Sequence, residues 1–211
     1  MVGGTNCSRI AQAGFLSCLF TCWPQMSSTE VLQRVTAALG SAGVPYMLTG
    51  SFASVFYGSP RSTQDIDFVI EASEAQLHAL ASNLPHDQYY VDVDAALEAL
   101  RRKSLFNIID LNAGWKIDMI IRKSRAFSRE EFGRRQPVTL GGVHLFVATA
   151  EDIILSKLEW SKLSESQRQI DDAAGILRLQ GSTLDRTYLD KWIGELGLAK
   201  QWSDAQRTAK S

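Results

Sequence analysis

Hydrophobic positions first fall at helical spacing: Val31, Leu32, Val35, Ala38 and Leu39 recur every three or four residues, and Gly40 and Gly43 close the run. That period lines one stripe of a helix with apolar side chains. Ser27-x-x-Glu30 stands just ahead in the form of a capping box. Residues 44–49 are a short apolar run between Gly43 and Gly50, the pattern of a buried strand, and residues 52–57 read as a short helix stopped by Gly58. After a loop over residues 59–64, residues 65–71 alternate, with Ile66, Phe68 and Ile70 on one face and Asp65, Asp67 and Val69 on the other. A half-buried strand is the expected result.

Further on, the pattern predicts a helix over residues 73–84, a strand over 89–93 and a short helix over 95–103 whose basic end suits its dipole. Two strand-like runs, 105–111 and 115–121, flank Asn112-Ala113-Gly114 and predict a hairpin. Residues 122–135 are charged and start with an exposed short helix. A second hairpin turns at Gly141-Gly142. From Thr149 the periods are helical only: Thr149-x-x-Asp152 is another capping box, opening a helix through about residue 163, and two more helices follow over 166–179 and 183–196. The expected organisation is an α/β core over residues 26–148, a C-terminal helical segment over 149–198 and a flexible polar tail over 199–211. Residues 1–25 are expected to be a disordered or mis-started extension.

Composition narrows the class. A chain of 211 residues with 45% hydrophobic and 21% charged positions can bury a real core, which excludes a fibrous or wholly disordered protein. A net charge of -1 removes the global basic field of a non-specific nucleic-acid binder. Cys7, Cys18 and Cys22 make neither a disulfide framework nor a metal-ligand spacing, so a reducing cytoplasm is expected. The apolar stretch at residues 13–23 is too short and too polar to span a bilayer and lacks a convincing cleavage site, so no membrane association is expected.

The chemistry concentrates on a few positions. Asp65 and Asp67 point to one face of a strand, about 6–7 Å apart. Such a pair either meets water at a strand end or repels until a divalent cation neutralises it. Gly50-Ser51 stands at a strand-to-helix junction, where glycine permits close backbone approach and a helix start offers N–H groups to phosphate. Asp118 interrupts an otherwise apolar strand over residues 115–121. Three such acids facing a phosphate site are the components of two-metal phosphoryl or nucleotidyl transfer.

Lys157 falls inside the apolar arc of its helix with Ile153, Ile154 and Leu158, so it needs either a carboxylate or a triphosphate partner, or else snorkels to solvent. Arg61 either reaches a phosphate from its loop or is simply solvated. Asp171 and Asp172 are expected on a solvated face, Trp160 and Trp192 in the core, and His78, His86 and His144 at the surface or a strand edge. The basic runs 101–103 and 134–135 read as solvated faces rather than an RNA track.

Gly50-Ser51, 13 intervening residues, Asp65-Ile66-Asp67 and the later Asp118 together resemble the nucleotidyltransferase superfamily of the DNA-polymerase-beta fold. Within it, Arg61-x-Thr63-x-Asp65-Ile66-Asp67 and the helix starting Glu151-Asp152-Ile153-Ile154-Leu155-Ser156-Lys157-Leu158 are similar to the AbiEii-like nucleotidyltransferases, a group that includes toxins of toxin–antitoxin systems. The resemblance covers most of residues 44–180. It implies a mixed sheet with a C-terminal helical segment, and an enzyme that moves a nucleoside monophosphate from a nucleoside triphosphate (NTP) to an acceptor hydroxyl on RNA, protein or a small molecule. Asp65, Asp67 and Asp118 would hold two Mg²⁺ ions, Gly50 and Ser51 would clasp the β- and γ-phosphates with Arg61 and Lys157 beside them, and an antitoxin protein would be a partner. The rival expectation is a catalytically inactive module of the same fold that binds nucleotide or a partner. A third is hydrolysis of the nucleotide by the same metals.

Overall fold

The alternation at residues 65–70 becomes strand β2 (Asp65–Ile70) in the computed structural model, which describes residues 26–58 and 63–210. Ile66, Phe68 and Ile70 are fully buried on one face, while Asp67 is half-buried and Asp65 exposed on the other. Thr63 fixes where this strand begins, since its hydroxyl accepts a bond from the Asp65 N–H at 3.1 Å.

Around β2 the chain runs α1 (Met26–Ser41), β1 (Tyr46–Thr49), α2 (Gly50–Phe56), then α3 (Glu74–Asn83), β3 (Tyr89–Val91), α4 (Val93–Arg102), β4 (Leu105–Asp110), β5 (Lys116–Ile121), α5 (Ala126–Arg134), β6 (Gln136–Leu140) and β7 (Val143–Val147). Helices α6 (Ala150–Ser164), α7 (Gln167–Gln180), α8 (Arg186–Leu196) and α9 (Ala199–Lys210) follow. The Ser27 side chain, on which the first expected capping box depends, lies outside the described residues. Among the described residues the strands make one mixed sheet of seven in an α/β fold, in the order β3-β4-β5-β2-β1-β7-β6. β2 pairs in parallel with β5, and β1 with β7; the other neighbours are antiparallel.

Local chemistry explains the turns. The buried Asp110 carboxylate accepts from the N–H groups of Asn112 and Ala113 at 2.9 and 2.8 Å, and Gly114 takes φ +70, which closes the β4–β5 hairpin where expected. On the core face, Ile117, Met119 and Ile121 of β5 join Ile66, Phe68 and Ile70, and α1 adds Val31, Val35 and Leu39. Helix α6 is the hub of the helical segment, packing on α2, α7 and α8. Thr149 caps α6 as expected, accepting from the Asp152 N–H at 3.3 Å while its hydroxyl donates to the Asp152 carboxylate at 2.7 Å.

Three expectations about the helices and their packing fail here. Residues 199–210 are not a fraying tail but helix α9, which packs along α7; Ala205 is fully buried there, and Arg178 of α7 donates to the carbonyls of Thr208 and Ala209. The helix in the charged stretch is not exposed, since α5 buries Phe127, Glu131 and Phe132. Trp192 is buried, but Trp160 is 57% exposed, because α6 turns its Ile153, Ile154 and Leu158 side inward. No helix among the described residues is long and apolar enough to cross a membrane.

Candidate active site

The β1–β2 pairing sets Thr49 opposite Asp67, and the chain then turns straight into α2 at Gly50. Gly50 adopts φ +67, and a Cβ built on it would stand 2.0 Å from Asp67 Oδ2. Glycine is therefore required twice over, by the left-handed backbone and by the carboxylate lying against it. On the other side of β2, parallel pairing places Asp118 opposite Asp67 and Lys116 opposite Asp65. Adjacent strands are about 4.8 Å apart, so the three acids share one patch of sheet face.

The electrostatics follow from that crowding. Burial, and then the charge of Asp118 and of Asp65, push the Asp67 carboxyl up to about 6, against the opposing pull of Lys157 and Lys116. Asp118 is held: Lys116 Nζ donates to its two oxygens at 2.9 and 3.0 Å, and the Asn107 side-chain amide, from β4, donates to Oδ1. In return Asp118 raises the Lys116 ammonium above its ordinary range.

Lys157 settles the choice left open by its helix. It is 4% exposed and does not snorkel; its ammonium donates to Asp172 Oδ2 at 2.7 Å and to Ser51 Oγ at 3.1 Å. Ser51, on α2, is thereby tied to α6 and α7 directly beside the acid patch. Asp172 was expected on a solvated face and instead sits inward, with its side chain 12% exposed. Asp172, Asn107 and Lys116 are the site residues that sequence reasoning missed. Lys116 carried a readable signal, two positions before Asp118 on the same strand face, and the lysine at 157 left a carboxylate partner open as one of its choices; Asn107 carried none. Arg61 lies outside the described residues.

Among the described residues no group of three or more His, Cys, Asp or Glu side chains is arranged to hold a metal ion as it stands. The residues nonetheless fit a divalent cation chemically. Asp65, Asp67, Asp118 and Asp172 set four carboxylates against the ammonium groups of Lys116 and Lys157, and the Asp67 carboxyl is raised first by burial and then by the charges of Asp118 and Asp65. Of the two donors to Asp118, Lys116, 44% exposed, is the one placed to move toward solvent and leave its oxygens to such a cation.

No protein-family model matches the chain, and no curated protein matches it. Among solved structures it is similar to the antibiotic-resistance factor ANT(2'')-Ia, at 10% identity over 86% of this chain and 96% of that one, with a TM-score of 0.48. It is also similar to JHP933 from Helicobacter pylori, at 18% identity over 88% and 91% of the two chains, with a TM-score of 0.42. A third likeness is to an antigenic nucleotidyltransferase-like protein from Paracoccidioides brasiliensis, at 12% identity over 82% and 90%, with a TM-score of 0.43. With identities of at most 18% and TM-scores of at most 0.48, these likenesses assign no activity.

Proposed function

We propose that this chain is a Mg²⁺-dependent nucleotidyltransferase that moves a nucleoside monophosphate from an NTP to an acceptor hydroxyl in the cytoplasm. The observation that carries the reading is the Asp67 carboxylate seated against Gly50 at φ +67, with Asp118 in register beside it and a buried Lys157 bonded to the adjoining Ser51. A fold gains nothing in stability from repelling acids packed against a glycine, whereas a site for cations and phosphate does.

In this reading Asp65 and Asp67 would hold metal on the triphosphate, and Asp118 would hold the metal nearer the acceptor. Bound Mg²⁺ would neutralise phosphate charge and lower the pKa of the acceptor hydroxyl. Helix α2 has only 7 residues, so its dipole contributes little; phosphate binding falls to the Gly50 and Ser51 backbone, the Ser51 hydroxyl and Lys157. The acceptor hydroxyl would lose its proton to Asp118 as its oxygen attacks the α-phosphorus, the bond to the bridging oxygen of the β-phosphate would break, and pyrophosphate would leave. RNA, protein and small molecules remain the acceptor classes. The AbiEii-like motifs favour a toxin with an antitoxin partner within this reading.

One observation favours the inactive module as a second reading: Lys116 and Asn107 engage Asp118 from within the protein. Incubation with each α-labelled NTP, Mg²⁺ and total RNA or lysate separates the two. Transfer of label by the intact protein and not by Asp65→Ala/Asp67→Ala supports the enzyme. Nucleotide binding by calorimetry without transfer supports the module.

A further inference from the structure

Lys116 shares the face of Asp118 on β5 but has no part in the transfer chemistry above. Its position is specific. It stands opposite Asp65 across the β2–β5 pairing and two residues before Asp118, so its stem runs along the acid patch. Its ammonium meets both Asp118 oxygens, at 2.9 and 3.0 Å. The two partners differ in exposure, 44% for the lysine side chain against 14% for the carboxylate. Asn107, half-buried on β4, also donates to Asp118, so the carboxylate keeps one fixed donor if the lysine departs. The lysine is thus the exchangeable half of the pair. An ion pair with so exposed a partner holds weakly, and a divalent cation, with twice the charge and a preference for carboxylate oxygen, outcompetes it at the same atoms.

Resting on the metal-dependent reading above, we propose that Lys116 is a built-in counter-cation that competes with divalent metal for Asp118. Without metal it holds the carboxylate patch together. When metal arrives it is displaced toward solvent, and the cost of that displacement sets the metal affinity of the free protein. Lys157 does not do the same work, since it is buried against Asp172 and Ser51.

The experiment is a calorimetric titration of the full chain with Mn²⁺ in the absence of nucleotide, for wild type, Lys116→Met and Lys116→Arg. Lys116→Met is expected to bind Mn²⁺ about two- to fivefold more tightly, matching an exposed pair's competition, and to melt lower than wild type in chelator but not in saturating Mn²⁺. Lys116→Arg is expected to keep the wild-type affinity. A readout on the wild type covers the case in which Lys116→Met fails to fold in chelator: the ¹⁵Nζ signal of Lys116, protected while Asp118 holds it, is expected to disappear on saturation with Mg²⁺. Wild-type binding with equal or weaker binding by Lys116→Met, or a ¹⁵Nζ signal that survives saturation, overturns the competition and leaves the metal reading standing. Absence of Mn²⁺ binding in all three proteins overturns both.

Discussion

Two groups of acids in this protein are crowded and partly or wholly removed from water, and they are treated differently. At the junction of α5, α6 and α8, Asp152 is fully buried and meets the Thr149 hydroxyl at 2.7 Å, the Tyr188 hydroxyl at 2.5 Å and Arg134 Nε at 3.4 Å. Arg134 in turn lies 3.7 Å from the centroid of the Tyr188 ring and pairs with Glu151. Glu131 beside them accepts from Ser156 at 3.0 Å, and its carboxyl is pushed up to about 8, chiefly by burial and then by the charge of Asp152. This cluster is closed by its own chain and joins the sheet domain to the helical segment. On the open sheet face, Asp65 is exposed, Asp67 lies against a glycine and Asp118 leans on an exposed lysine. A raised carboxyl alone therefore does not mark function. What separates the clusters is whether the compensating groups are fixed and buried or can be exchanged for a ligand.

The largest effect that tests this contrast is on activity. Asp67→Ala is expected to lower nucleotidyl transfer by roughly a thousandfold or more, since several kcal/mol of charge stabilisation go with the metal. Its Tm at pH 7 is expected to hold or rise, because a repelling charge is removed. Asp152→Ala reverses the pattern: breaking a buried, paired acid costs roughly 3 kcal/mol or more, about 6–12 °C in Tm for a chain of this size, while the folded fraction stays active.

Gly50→Ala is expected to fall between these. The left-handed backbone and the clash with Asp67 cost about 1–3 kcal/mol, and transfer drops because the carboxylate is pushed off its seat; melting and single-turnover assays together check both parts. The last effect is on pH dependence. The raised Glu131 carboxyl keeps its proton in the folded state, so its contribution is present below the ordinary glutamate value of 4.5 and is lost as pH rises through about 8. Melting curves across that window are expected to fall with pH more steeply for wild type than for Glu131→Gln. Equal slopes would show that the group is ordinary.

Both clusters were partly legible before the fold was known. Asp65 and Asp67 read directly from a period of two, and Gly50 from its junction, because these signals are local. Asp118 was grouped with them by its chemistry and by the resemblance, but its register opposite Asp67 was not local information, since it depends on which strand β2 takes as its parallel neighbour. Lys157 announced a need for a partner but not Asp172, which comes from the packing of α7 on α6. Thr149 and Asp152 read as a cap, and the same Asp152 then bonds to Tyr188 from a helix that local rules do not place. Helix α9 was missed for its polar composition; Trp202, Ala205 and Ala209 recur at helical spacing, and that stripe is narrow enough to pass for a tail.

The central claim is tested most directly by incubating the purified chain with Mg²⁺ and each α-labelled NTP in the presence of RNA or lysate, beside the Asp65→Ala/Asp67→Ala protein. Label transferred to an acceptor, with pyrophosphate released, by the intact chain and not by the variant is the expected result. Equal transfer by both proteins, or no transfer by an intact chain that binds nucleotide, would contradict it.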